Sequence, residues 1–376
     1  MYRENAPFRY DFVGSFLRPE VLKKARAEYA EGTITRDDLT KVENDEITKL
    51  IGEQKAAGYH TITDGEFRRS YWHLDFMWGL GGIEHIELEH GYFFHNEETT
   101  RGSIAISGKI NGENHPFVEH FRFVKQFEDE NTVARQTIPA PAQLFSELFR
   151  GENGENTRKF YPDEEELIAD IAAAYRKVIA DLYEAGCRNI QLDDCTWGMF
   201  CDKKYWTIRQ KSEVKLLDVA QKYLRLNNLA LEGKPEELVI TTHVCRGNYH
   251  STWASSGGYE PIAKFLFGNE NVDGFYLEFD DERSGGFEPL RFVPEGKKVV
   301  LGLVTSKSPV LEKEDALIAR IYEAAKYVPL ENLCLSPQCG FASCEIGNKL
   351  TAKEQWEKLA LVKSVAQKVW EVKKED

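Results

Sequence analysis

Residues 164–194, EEELIADIAAAYRKVIADLYEAGCRNIQLDD, join two signals that decide the fold class. Leu167, Ile168, Ile171, Tyr175, Val178, Ile179 and Leu182 recur at three- and four-residue steps, which predicts an amphipathic helix. Gly186 stands where a C′ glycine ends such a helix. A short apolar run, 189–194 (NIQLDD), follows at once and closes on two acids, as a buried strand with a polar end would.

Working outward, the same rhythm repeats. Strands are predicted at 9–16, 60–66, 134–140, 189–194, 239–246, 274–279, 298–304 and 332–339. Helical patterns lie at 19–31, 36–57, 143–150, 164–186, 209–231, 259–267, 312–327 and 351–372. Strands alternating with helices imply parallel pairing with crossover helices, and a (β/α)8 TIM barrel is the economical closure at this length. A doubly wound open sheet is the alternative, but no Gly-rich phosphate loop follows the first strand. Residues 1–376 are therefore read as one catalytic barrel domain. Residues 83–130, with alternating segments that resemble antiparallel hairpins, are read as a β-rich insertion after the second strand.

Composition narrows the partners. The chain has 376 residues, 42% hydrophobic and 12% aromatic, enough to bury a core. Its 48 Lys plus Arg against 62 Asp plus Glu give a net charge of -14, which phosphate backbones would repel, so nucleic acid is not an expected partner. No apolar run is long enough for a membrane span, and the first residues, MYRENAPFRY, lack the apolar stretch of a secretory signal. Seven cysteines, odd in number and confined to the second half, do not form a disulfide framework. A reducing, cytoplasmic setting is expected, with some thiols free to ligate metal.

In a parallel barrel the active site gathers at the carboxyl ends of the strands. Here those ends carry Gly14-Ser15, Asp64-Gly65-Glu66, Asp193-Asp194, His243-Val244-Cys245, Glu278 and Cys339. A His-x-Cys step on a strand puts both side chains on one face. With Glu278 and Cys339 from neighbouring strand ends, His243 and Cys245 make a donor set suited to tetrahedral zinc (Zn2+). Two thiolates and a carboxylate leave that shell with a net negative charge, a poor setting for activating water. It suits a different task, since a coordinating thiol loses its proton outright and stays nucleophilic. Charge counting favours alkyl transfer to a thiol over hydrolysis. Taken singly, each residue has a plainer reading: a buried inert cysteine, a core histidine, or, for Glu278, a solvated end of the acidic run EFDDE.

At these motifs the chain resembles the cobalamin-independent methionine synthase family, over its catalytic C-terminal barrel in single-barrel form. Val13-Gly14-Ser15-Phe16 is similar to the family's Ile-Gly-Ser-Phe, and Asp64-Gly65-Glu66 to its His-Gly-Glu. Ile190-Gln191-Leu192-Asp193-Asp194 resembles Ile-Gln-Ile-Asp-Glu, and Thr242-His243-Val244-Cys245 resembles Thr-His-x-Cys. Glu278 and Pro337-Gln338-Cys339-Gly340 fall where the remaining zinc ligands are expected. The resemblance implies methyl transfer from a folate, 5-methyltetrahydrofolate, to homocysteine. It implies His243, Cys245, Glu278 and Cys339 as zinc ligands, with Ser15, Glu66 and Asp193 holding the amino-acid part of homocysteine. The family's proton-donating His of His-Ser-Pro corresponds to Lys307, which the resemblance implies as the acid, and an aromatic used against the folate ring corresponds to Phe145.

These departures touch the donor side, so a corrinoid protein or another activated donor stays open as the methyl source. Alkyl transfer to another thiol, a decarboxylase-like activity, and a non-catalytic zinc- and homocysteine-binding protein are the competing readings. The aromatic group Tyr71, Trp72, Phe76 and Trp78 is expected to pack the insertion onto the barrel. Cys187, Cys195, Cys201, Cys334 and Cys344 are expected to be structural, with Cys344 the rival to Cys339 as last ligand.

Overall fold

A computed structural model describes residues 5–204, 207 and 215–370. Among the described residues there are ten strands: β1 (Thr61–Ile62), β2 (Gly81–Glu87), β3 (Gly102–Asn111), β4 (Val133–Ala134), β5 (Gln136–Pro139), β6 (Asn189–Asp194), β7 (Val239–Val244), β8 (Gly274–Glu278), β9 (Lys298–Val304) and β10 (Leu333–Pro337). Strands β5 to β10 form one parallel sheet in chain order, and β1 pairs with β4 in a separate parallel ladder. The parallel strands are buried almost throughout, because crossover helices cover them.

The helix Glu164–Glu184 forms as its pattern predicts. Asp163 caps it by accepting from Glu165 N at 3.0 Å, three glutamates sit in its first turn, and Gly186 takes φ +93° just beyond its end. Leu167, Ile171, Tyr175, Val178 and Leu182 are buried along one face. The helix expected at 209–231 is seen as Leu216–Ala230, and that at 351–372 as Ala352–Trp370; residues 209–214 and 371–372 lie outside the described residues.

Three expectations are corrected. The closed eight-stranded ladder is not formed as regular pairing among the described residues. The segment 9–16 is reduced to one bridge, Tyr10 with Leu335, and 60–66 to two residues. Side chains take the backbone groups that a ladder would use. Asp11 accepts from Phe8 N and Phe12 N, Gln54 Oε1 accepts from Thr63 N, and Thr63 Oγ1 donates to Gly14 O.

Within 83–130, β2 and β3 do pair antiparallel, but residues 117–125 form a helix rather than a strand. Phe117, Phe121 and Val124 are buried at helical spacing behind Pro116, which outweighs their apparent alternation. Third, helices at Leu74–Trp78, Asn153–Phe160 and Thr196–Phe200 add to the expected set.

Under the sheet's amino-terminal side, one buried guanidinium ties several elements together. Arg135 bonds Asp11 Oδ2 at 2.7 Å, Tyr276 OH at 2.6 Å, Asn189 Oδ1 at 2.9 Å and Phe12 O at 2.7 Å. Such a buried charge is tolerated because every donor direction meets an acceptor. Among the described residues, no helix is long and apolar enough to cross a membrane.

Candidate metal centre and adjoining cavity

Register brings the candidate ligands together. Asp193 on β6 pairs with His243 on β7, and Val244 pairs with Leu277 on β8, so Cys245 and Glu278 lie one step further on at the same level. Cys339 follows the end of β10 by two residues. The ligating atoms of His243, Cys245, Glu278 and Cys339 all lie within 4.8 Å of one another, and all four residues are buried. Cys245 Sγ and Cys339 Sγ are 3.7 Å apart. Two sulfurs on a tetrahedral zinc, each at about 2.3 Å, would stand about 3.8 Å apart.

The donors have few other partners. Neither ring nitrogen of the buried His243 makes a well-formed hydrogen bond, although Cys339 and the Tyr276 backbone lie beside the ring. Glu278 Oε1 accepts from Arg246 N at 2.8 Å. The electrostatics of the bare cluster are unfavourable to its anionic forms. Cys245 is pushed well above the usual thiol range by its contact with Cys195 and by burial, and Cys339 by Cys245 and burial. Burial raises the Glu278 carboxyl, while the Lys307 ammonium opposes that shift. Acid-forming donors crowded in a dry site beside a buried imidazole fit a divalent cation, which would relieve all of these costs together.

Beside the cluster lies a second group. Asp64 Oδ1 accepts from Glu66 N at 2.8 Å, closing a turn in which Gly65 and Glu66 both take positive φ, +64° and +63°. A non-glycine residue held there stores backbone strain, and the effect is to bury the Glu66 side chain against the cavity. Glu66 Oε1 meets Arg69 Nη1 at 3.2 Å and Thr137 Oγ1 at 3.0 Å, whereas Oε2 is buried without a partner. Asp193 accepts from Gln191 Nε2 at 2.9 Å. Burial and the neighbouring Glu66 charge push the Asp193 carboxyl well up, and burial raises Glu66 as well. Two carboxyls straining against each other in a dry site form a receptor for a cation.

Ser15 lies alongside, its Oγ accepting from Ala342 N at 3.3 Å. The approach is close enough that a Cβ on Gly340 would fall 1.9 Å from Ser15 Oγ, so glycine is required after Cys339.

His243, Cys245, Cys339, Ser15, Glu66 and Asp193 line one cavity of about 1040 Å³, whereas Glu278 does not. Phe145 also lines it, buried, with Lys222 Nζ 5.3 Å above its ring centroid. Trp72 faces the cavity, and Tyr71 faces it while also packing in the core; Phe76 is buried in the core, and Trp78 lies 4.2 Å from His85, centroid to centroid. Lys307 is placed differently. It does not line the cavity, and its Nζ donates to the buried Asp280 at 2.7 Å.

Sequence reasoning missed three participants. Cys195, expected to be structural, lines the cavity beside Cys245. Arg18 is buried and clamps Phe16 O, Ala342 O and Glu66 O, tying the turns that carry Ser15, Glu66 and Cys339. His73 faces the cavity among aromatic rings. A lone arginine or histidine in a loop carries no spacing signal, so only three-dimensional contacts reveal them.

The family model described as cobalamin-independent synthase, catalytic domain, matches residues 10–368. The chain belongs to the cobalamin-independent methionine synthase family. Among its relatives, the uncharacterised protein YxjG of Bacillus subtilis is 43% identical over 372 residues, covering 98% of this chain and 97% of that protein. A methionine synthase of Pyrococcus abyssi is 24% identical over 87% of this chain and 84% of its own length. Among solved structures, a putative vitamin-B12-independent methionine synthase from Listeria monocytogenes superposes with a TM-score of 0.78 at 40% identity, covering 98% of this chain and 99% of that one. Membership of this family supports a methyltransferase role.

Proposed function

We propose that the protein is a zinc-dependent methyltransferase that moves a methyl group, with 5-methyltetrahydrofolate as the first donor to test, onto the thiol of homocysteine to give methionine. The observation that carries this reading is the four-donor cluster with its 3.7 Å sulfur pair, set beside the Glu66 and Asp193 carboxyls in one cavity. His243, Cys245, Glu278 and Cys339 would hold the metal. Zinc held there would supply a Lewis acid that favours the thiolate form of a ligating thiol, and the anionic ligands would leave that sulfur nucleophilic.

The remaining chemistry belongs to the chain's own groups. Glu66 and Asp193 hold the homocysteine ammonium, which neutralises their mutual repulsion. Ser15 and the backbone N–H groups near it receive the carboxylate. With both ends fixed, the sulfur points at the metal centre and the methyl donor enters from the aromatic side. The C–S bond forms as the methyl–donor bond breaks; the leaving atom takes the bonding pair and, through solvent, a proton equivalent to the one the thiol gave up. The pairing of Lys307 with Asp280 supports a positioning role for that ammonium near Glu278 over the acid role its sequence position suggests.

The same reading takes the β1–β4 pair, the Tyr10 segment and the six-stranded sheet as one barrel spanning residues 1–376, with 83–130 inserted. The convergence of Asp11, Arg135, Asn189 and Tyr276 on one interior point supports that closure. Seven free cysteines support a cytoplasmic setting. The test is a donor screen with zinc-loaded protein, homocysteine, and 5-methyltetrahydrofolate, methylcobalamin or S-methylmethionine, read by mass spectrometry of methionine. Methionine formation with one donor is the expected result; homocysteine binding with no product from any donor overturns the reading.

A further inference from the structure

The cavity is much larger than one amino acid requires, and beyond the strand ends its wall turns aromatic. His73 lies in that wall, on the loop between the Glu66 turn and the helix Leu74–Trp78. It is only 3% exposed, yet neither Nδ1 nor Nε2 has a hydrogen-bond partner. Its ring lies 4.5 Å from Trp72, 5.7 Å from Tyr92 and 6.2 Å from Tyr71, centroid to centroid.

That combination is costly. A buried imidazole with no partner forfeits its hydrogen bonds to water and recovers none, and such groups in native proteins call for an explanation. Structural histidines here behave otherwise: His115, also buried, bonds Phe76 O at 2.9 Å. The wall around His73 is held firm by a separate network. The Tyr92 hydroxyl donates to Glu147, which also accepts from Arg150 Nε at 2.9 Å, and the Arg150 guanidinium covers the Tyr92 ring at 4.1 Å. His73 is therefore fixed in place at the cavity wall with both nitrogens buried and unpartnered.

We infer that His73 is the polar contact for the methyl donor, hydrogen-bonding the edge of a flat, uncharged heteroaromatic group that lies among Trp72 and Tyr92. This inference rests on the methyltransferase reading above. Burial and the Arg150 charge hold the His73 imidazolium pKa down to about 3, so the ring is neutral and offers one N–H donor and one acceptor. A neutral ring adds little to the charged ends of homocysteine, which Glu66, Asp193 and Ser15 already address. It suits a planar group that presents a complementary donor or acceptor atom at its edge to one imidazole nitrogen. His73 thus acts as a specificity-determining residue for the second substrate.

The experiment compares wild type with His73→Phe, which keeps the aromatic packing, and His73→Gln, which keeps a donor and an acceptor. The donor probe is 5-methyltetrahydrofolate at saturating homocysteine, with zinc per chain and calorimetric homocysteine affinity measured in parallel. His73→Phe should raise the donor KM about tenfold or more, the scale of a lost buried hydrogen bond, with zinc content and homocysteine affinity unchanged. His73→Gln should recover a substantial part of that loss. A wild-type donor KM in His73→Phe, a matching fall in homocysteine affinity, or a Gln variant no better than Phe overturns this inference while wild-type turnover leaves the function reading standing. A wild-type protein that binds homocysteine but yields no methionine from any donor of the screen overturns the function reading and this inference with it, whereas turnover with another donor but not with 5-methyltetrahydrofolate overturns this inference alone.

Discussion

Cys245 and Cys339 are 94 residues apart in the chain, yet their sulfurs lie 3.7 Å from each other without a bond between them. That separation is too long for a disulfide and matches one edge of a tetrahedral site. The thiols are held there by two different strands of one parallel sheet, so the spacing is a property of the scaffold.

Replacing either thiol should empty the site. Cys245→Ser and Cys339→Ser are expected to reduce zinc from about one per chain to a small fraction, with a lower melting temperature, since metal bound only by the native state stabilises it. Cys344→Ser should keep its zinc, because Cys344 is outside the four-residue cluster. Atomic emission on dialysed protein, with melting curves, checks both halves.

Neutralising the carboxyl pair should separate substrate binding from metal binding. Glu66→Gln and Asp193→Asn are each expected to weaken homocysteine about 10- to 100-fold, the scale of a lost charge-assisted hydrogen bond. Zinc content should stay at the wild-type level. Because each carboxyl is raised by burial, and Asp193 also by its neighbour, neither change should destabilise the ligand-free protein at neutral pH. Titration calorimetry and urea unfolding measure the two effects.

The parallel strands and the convergence of His243, Cys245, Glu278 and Cys339 were legible because buried strands read as short apolar runs and a His-x-Cys step survives in sequence as a two-residue period. The Asp64-Gly65-Glu66 motif was visible, but its form was not: 60–66 reads as a strand, whereas Asp64 folds it into a turn with positive φ. The first strand dissolved for the same reason, since Asp11 captures the backbone N–H of Phe8 and Phe12. His73 and Arg18 were invisible because their meaning lies in what surrounds them, and Lys307 was legible in position yet turned toward Asp280.

Adding one methyl group at Gly340 should damage the site more than its size suggests. The new Cβ would fall 1.9 Å from Ser15 Oγ, inside a turn held by Phe341 N to Ser15 O at 3.0 Å. Gly340→Ala is expected to cost about 1–3 kcal/mol of stability, as overpacking does, and to lower zinc occupancy by displacing Cys339. Ser15→Ala in the same background should restore part of both, read by urea denaturation and metal analysis.

Away from the cavity, Glu270 sets a pH dependence of stability. Burial, together with the nearby Asp194 charge, raises its carboxyl from 4.5 to about 8, and its Oε1 accepts from Asn227 Nδ2 at 2.8 Å. The native state keeps that proton up to about pH 8, while the unfolded chain releases it near 4.5. Between those values the native state binds more protons, so this group's contribution to stability falls as pH rises. Glu270→Gln should flatten the slope over that window and exceed wild-type stability above pH 8. Chemical denaturation at a series of pH values gives the answer.

The central claim is that this chain presents a thiol to methyl transfer on zinc held by two of its own sulfurs. X-ray absorption at the zinc edge, with and without homocysteine, tests it most directly. The account predicts two sulfur neighbours at about 2.3 Å in the substrate-free protein and a third on adding homocysteine. A shell of nitrogen and oxygen alone, or a sulfur count that homocysteine leaves unchanged, would contradict it.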